Sequence, residues 1–212
     1  MAVATAVVLS SCGAGDDWSE PHARPTAIGT LGSGFFDPQA PPAPEATITP
    51  RPGSWDAVHP SKGYRVVLLT AGEDTPAKTL AAAVSKWAEQ EDASLKTVKA
   101  AGSAQFIPSI TKAMDLAPDL IVCVGNALVD PLAVVTANHL DQQFLVIGAE
   151  VAEPTSNVTA ADWTGASFRG EGLGMPDAYD PSTFTSERGD RAVRAGVAAV
   201  LNGLTGIVIR LD

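Results

Sequence analysis

The sequence predicts an α/β fold: an open, doubly wound, mostly parallel sheet behind a disordered amino-terminal tether. Three observations predict it. Short runs at 66–69, 120–124 and 144–147 are apolar at every position, as strands buried on both faces of a parallel sheet must be. Between them lie segments with apolar residues at helical spacing, long enough to make crossover connections. Residues 13–62 hold more than half of the chain's sixteen prolines and show no apolar periodicity, which predicts an extended, solvated stretch.

In chain order, the tether is expected over 12–62. Phe35-Phe36 is an apolar pair inside it, suited to dock on the domain or on a partner. The folded unit is expected over 63–212. Arg65-Val66-Val67-Leu68-Leu69-Thr70 reads as a buried strand. Thr75 as N-cap and Pro76 as first helical residue then open a helix with Ala77, Leu80, Val84, Trp87 and Ala88 at helical spacing. Residues 95–99 read as a weaker, edge-like strand. A second helix is expected over 105–114, with Pro108 tolerated in its first turn. Residues 119–124 form the second buried strand. Asp130-Pro131 opens a third helix carrying Leu132 and Val135 towards His139. Residues 144–147 form the third buried strand, and 157–163 a shorter fourth. A Gly- and Pro-rich stretch covers 165–181. The last helix is expected over 187–202, with Val193, Val197, Val200 and Leu204 on one stripe and Asn202-Gly203 closing it. Residues 206–211 read as a final strand. In such a sheet a ligand crevice lies at the carboxyl ends of the strands, where strand order reverses. That point is expected between the strand at 65–70 and the strand at 119–124.

The chain has 212 residues and a net charge of −10. Lys and Arg do not cluster, so the footprint of a nucleic-acid partner is missing, and an acidic surface is not drawn to anionic lipid heads. No apolar run reaches the roughly 18 residues of a membrane span. Cys123 sits within an apolar strand and reads as a small buried hydrophobe. His22, His59 and His139 lack metal-ligand spacing. Neither a Gly-x-Ser-x-Gly elbow nor a phosphate loop occurs, so neither an enzyme nor a cofactor is expected. His139, at a helix end, reads as a partner of the helix dipole.

Leu9-Ser10-Ser11-Cys12 follows an apolar run and precedes a flexible acidic stretch. It resembles the lipobox of bacterial lipoproteins. The resemblance implies that residues 1–11 are a signal segment removed before Cys12, that Cys12 carries lipid, and that the rest is held at the outer face of the cell membrane. Met1-Ala2-Val3 lacks the basic residue such a segment opens with, which places the expected start upstream.

A second resemblance covers roughly residues 64–172. The apolar strand ending in Gly125-Asn126, the following helix, the Phe-led strand 144–147 and then Asn157-Val158 look like the first lobe of the basic membrane protein lipoproteins. These are solute-binding proteins of ABC transporters with a periplasmic-binding fold. Members typically have two lobes that close on a nucleoside or similar molecule; this chain has residues for one. The family's Ser-Phe-Asn triplet after the first strand is absent, and its acidic pair corresponds to Glu73-Asp74.

Two clusters are candidates for ligand contacts. Glu73, Asp74 and Thr75 lie at a strand-to-helix turn. There they can accept hydrogen bonds from a sugar or an amine, or serve as a cap with acids at the positive end of a helix. Gly125-Asn126 can allow close backbone approach with an amide to recognise a polar group, or form an ordinary turn. Residues 167–172 read as a lid or as what remains of a crossing to a second lobe. Together these features predict a membrane-tethered lipoprotein whose lobe binds a small polar molecule, nucleoside-like by resemblance, as an accessory to a membrane transporter complex. The alternative is an interaction lipoprotein without a ligand.

Overall fold

A computed structural model describes residues 17–175 and 178–211. Cys12 and the signal segment lie outside the described residues. The strands are β1 (Ala27–Ile28), β2 (Thr47–Ile48), β3 (His59–Pro60), β4 (Arg65–Ala71), β5 (Ser94–Ala100), β6 (Leu120–Val124), β7 (Phe144–Ile147), β8 (Val158–Asp162) and β9 (Val208–Arg210). The helices are α1 (Thr75–Gln90), α2 (Phe106–Asp115), α3 (Val129–Thr136) and α4 (Ser186–Leu201). Seven strands form one sheet in the order β2-β9-β8-β7-β6-β4-β5. Every pairing in it is parallel. The expected α/β class is what the chain adopts.

Successive side chains of a strand point to opposite faces, and the apolar runs therefore feed two cores. Val66, Leu68, Val122, Val124, Leu145 and Ile147 pack with Leu80, Val84 and Trp87 of α1 and Val193 and Val197 of α4. Val67, Leu69, Ile121, Cys123, Phe144 and Val146 pack with Ile110 of α2 and Leu132 and Val135 of α3. A strand that must serve both cores has no place for a polar face. Burial pushes the Cys123 thiol well above its ordinary value, so it stays a neutral thiol.

Asp74, not Thr75, caps α1: its carboxylate accepts from the Ala77 N–H at 2.8 Å, and Thr75-Pro76 fall in the first turn. Pro108 lies in the first turn of α2. α3 ends at Thr136, so His139 lies beyond the helix rather than on its path. Its carbonyl accepts from Asn157 Nδ2 at 2.8 Å.

The stretch expected as an extended tether is corrected for residues 17–62, which pack on the sheet. Phe35 and Trp55 are buried and meet edge-to-face at 6.3 Å between ring centroids. Trp18 donates to Ser94 Oγ at 2.8 Å, with Lys96 Nζ 4.3 Å from its ring centroid. β1 and β3 pair antiparallel, and β2 adds to β9 as a parallel strand. Arg65 opens β4 almost fully buried. Its guanidinium donates to the carbonyls of Asp17 at 3.0 Å and Glu20 at 3.0 Å. The physical reason is payload: single aromatics spaced along a proline-rich stretch each bury on the order of 150–250 Å², without the periodicity of a helix or strand. The final strand, β9, joins the sheet beside β8, and β2 covers its other side.

Candidate crevice at the switch point

The chain leaves β4 for β5 on one side and then crosses to β6 on the other, so strand order reverses between β4 and β6. The turns that follow their carboxyl ends border an open crevice of about 450 Å³, mouth included. It is lined by Gly72 and Asp74 after β4, by Gly125 and Asn126 after β6, and by Leu80 and Ile147. Tyr179 and Phe184 add an aromatic wall.

Gly125 makes the approach of the two turns possible. Its φ is 108°, and a Cβ there would stand 2.4 Å from the Ala71 carbonyl oxygen. Asn126 contributes an amide whose Nδ2 lies 3.9 Å from Met175 Sδ. Asp74 spends one carboxylate oxygen on the α1 cap, leaving acceptor capacity on the other. Burial, and then the charge of Asp74, raise the Tyr179 phenol above its ordinary value, so the hydroxyl stays protonated and able to donate.

Of the five residues proposed from sequence for ligand contact, Asp74, Gly125 and Asn126 line this crevice. Glu73 and Thr75 do not. Glu73 is exposed, pairs with Lys78 at 3.4 Å, and belongs to a separate groove beside Thr97 and Lys99. Thr75 is exposed in the first turn of α1. Residues 167–172 form neither an extended crossing nor a free loop. Phe168 is buried, bridges to Ala149 and accepts from the Glu150 N–H at 2.8 Å.

Sequence reasoning missed the aromatic wall. Trp163 is buried after β8, 5.0 Å from Phe184, and donates from Nε1 to Thr183 Oγ1 at 3.0 Å. Tyr179 lies 5.9 Å from Phe184. The available signal was the aromatics in and flanking the Gly- and Pro-rich stretch, Trp163, Tyr179 and Phe184. Also missed were two buried carboxylates, Glu150 after β7 and Asp162 at the end of β8. For Asp162, an acid closing a short, mostly apolar strand was the signal.

No family model matches the chain. Among solved structures it is similar to an ABC transporter solute-binding protein from Aeropyrum pernix K1, at 21% identity and a TM-score of 0.43 over 48% of this chain and 29% of that one. It is similar to a presumed lipoprotein fragment from Peptoclostridium difficile 630, at 20% identity and 0.47 over 67% of this chain and 99% of that one. It is also similar to the Lac repressor bound to ONPG, at 11% identity and 0.39 over 72% of this chain and 49% of that one. The chain thus spans less than a third of the Aeropyrum protein's length.

Proposed function

We propose that this chain is a lipid-anchored binding module of the cell envelope, with a small polar solute held in the crevice between β4 and β6. The observation that carries the reading is the convergence of Asp74, Asn126 and Tyr179 on one crevice at the switch point. Asp74 and the Asn126 carbonyl accept, while the Asn126 amide and Tyr179 donate. Leu80, Ile147 and Phe184 supply apolar contact. That pairing of convergent polar groups with an apolar lining suits a small hydroxylated or amine-bearing solute, and a nucleoside remains the narrower candidate on the family resemblance. One lobe leaves one side of the crevice open, so affinity is modest unless a partner, such as a transporter component, supplies the other wall. Membrane attachment is through Cys12 in this reading. Among the described residues no helix is long and apolar enough to cross a membrane.

The test is a thermal-shift screen with nucleosides, sugars and amino acids, because a ligand that binds only the folded chain raises its melting temperature. A hit that loses affinity in Asp74→Ala supports the crevice, and a screen without any shift overturns the ligand reading. Anchoring is tested separately. Cys12→Ala, expressed with the upstream start, should leave the membrane pellet for the soluble fraction.

The second reading is a docking module without a ligand. Leu173 and Met175 favour it: both are exposed, and Met175 Sδ lies 3.9 Å from Nδ2 of the crevice residue Asn126. Under this reading Leu173→Asp abolishes partner capture while a solute screen stays silent.

A further inference from the structure

Behind the aromatic wall lies a polar cluster that contributes no lining to the crevice. The Asp162 side chain is closed to solvent and that of Glu150 is nine-tenths covered. The groups facing them are Arg210 from β9 and Ser167 and Arg169 from the segment after β8. Ser167 Oγ donates to Asp162 Oδ2. Arg210 Nη2 reaches Glu150 Oε1 at 3.3 Å, and Arg169 Nε stands 3.4 Å from Glu150 Oε2. Arg210 Nε is 2.9 Å from Asp162 Oδ1, close enough for an ion pair but not aligned for a hydrogen bond. The two arginines are themselves a third to a half exposed, so neither carries the full neutralisation of a carboxylate as deep as Asp162.

This cluster holds one turn. Ser167 has a φ of 66°, an uncommon conformation for a residue with a Cβ that persists only where its surroundings enforce it. The same turn contacts the crevice wall. Trp163 meets Phe184 and donates to Thr183, and the Gly165 carbonyl accepts from the Asp180 N–H at 2.8 Å, next to Tyr179.

We propose that Glu150 and Asp162 share one proton when the 163–168 turn is docked, and that this proton positions the Trp163–Phe184–Tyr179 wall of the crevice. Two carboxylates in one buried site do not both ionise without cost. The protonated member donates to its neighbour, and the Ser167 hydroxyl completes the set. Burial, and then Glu150, push Asp162 up to about 8, against the opposing pull of Ser167 and Arg210. When the turn undocks, Asp162 meets water and gives the proton up. Docking therefore takes up a proton and weakens as pH rises, until Asp162 is ionised in both states. Glu150 and Asp162 act as positioning residues. The consequence for solute affinity rests on the crevice reading above, whereas docking itself is measured without any solute.

The experiment is amide hydrogen exchange of the ligand-free chain between about pH 6 and 8, with rates corrected to protection factors. Amides of 163–168 should lose protection by up to tenfold per pH unit. Asp162→Asn, which carries no titrating proton, should flatten the dependence, and Glu150→Gln should move it to lower pH. Protection independent of pH in the parent overturns the proposal, and so does an unchanged slope in Asp162→Asn. Should Asp162→Asn not fold, carboxyl-carbon NMR of the parent decides. A midpoint for Asp162 above about pH 6 supports the shared proton; a midpoint at the ordinary value of about 3.9 overturns it.

Discussion

At Gly125 a methyl group would meet the Ala71 carbonyl, and the backbone sits where residues with a Cβ are strained. Gly125→Ala should therefore cost about 1–3 kcal/mol in urea unfolding. A loss under about 0.5 kcal/mol would show that the β4 and β6 turns separate freely. Asp74 has two duties, and they separate by assay. As the cap of α1 its removal costs about 0.5–2 kcal/mol of stability. As a charged acceptor for a bound solute, its loss costs about 1.5–3 kcal/mol of binding, tenfold or more in affinity. Calorimetric titration of a screened solute against Asp74→Ala reads the second. Equal affinity in parent and variant would leave Asp74 as a cap only. The sequence brought Asp74, Gly125 and Asn126 to notice because βα turns at a switch point are where such sheets bind. It could not sort Glu73 from Asp74. Gly72, with a φ of 86°, redirects the chain so that the two neighbouring acids serve different surfaces.

Among the elements, strands buried on both faces were legible because burial leaves no polar alternative: 66–69, 120–124 and 144–147 could hardly be anything else. Helix bounds were legible to within a residue or two where proline and a capping side chain marked them. The stretch 17–62 was not. β1, β2 and β3 are two residues each, too short for any periodicity to register. The final strand shows what this adds. Ile207 and Ile209 join the core beside Val193 and Val197 of α4, and β9 also carries β2. Deleting 206–212 uncovers several aliphatic side chains at roughly 1.5–3 kcal/mol each and leaves β2 without a neighbour. The shortened chain should aggregate or melt without a cooperative transition in calorimetry. A melting temperature equal to the parent's would make β9 peripheral.

For the molecule as a whole, Asp162 gives stability a pH dependence of definite sign. The folded chain keeps that proton up to about pH 8, whereas the unfolded chain releases it near 3.9. Between these values the folded state binds more protons, so stability falls as pH rises. The contribution is complete below about pH 4, is lost progressively towards pH 8, and is level above. Denaturant midpoints of the parent and Asp162→Asn, taken over that range, should converge or diverge with a slope difference of at most about 1.4 kcal/mol per pH unit. Parallel curves would mean that Asp162 titrates alike in both states.

The segment 17–62 sets the limits of what folds. From periodicity alone the stable unit begins near Tyr64. In the folded chain, however, the segment covers Phe35 and Trp55 against the α1–α4 core and pairs β2 with β9. It also brings His22 to Asp119 at 2.8 Å and His59 to Glu91 at 2.8 Å. Its largest polar contribution is to Arg65, whose buried guanidinium donates to carbonyls of residues 17–20. Removing it strips partners from a buried cation, a loss on the order of 3–5 kcal/mol where a buried pair is broken. It also uncovers aromatic-sized patches on the sheet. A chain beginning at residue 63 should therefore unfold at markedly lower urea than the parent, or expose enough apolar surface to aggregate. Limited proteolysis separates the outcomes. If 17–62 is structural, the intact chain resists cleavage between Trp18 and Val58 for as long as it resists cleavage within β4–β7. Rapid cutting in that stretch, leaving a 63–212 core of unchanged midpoint, would return these residues to the role of a spacer.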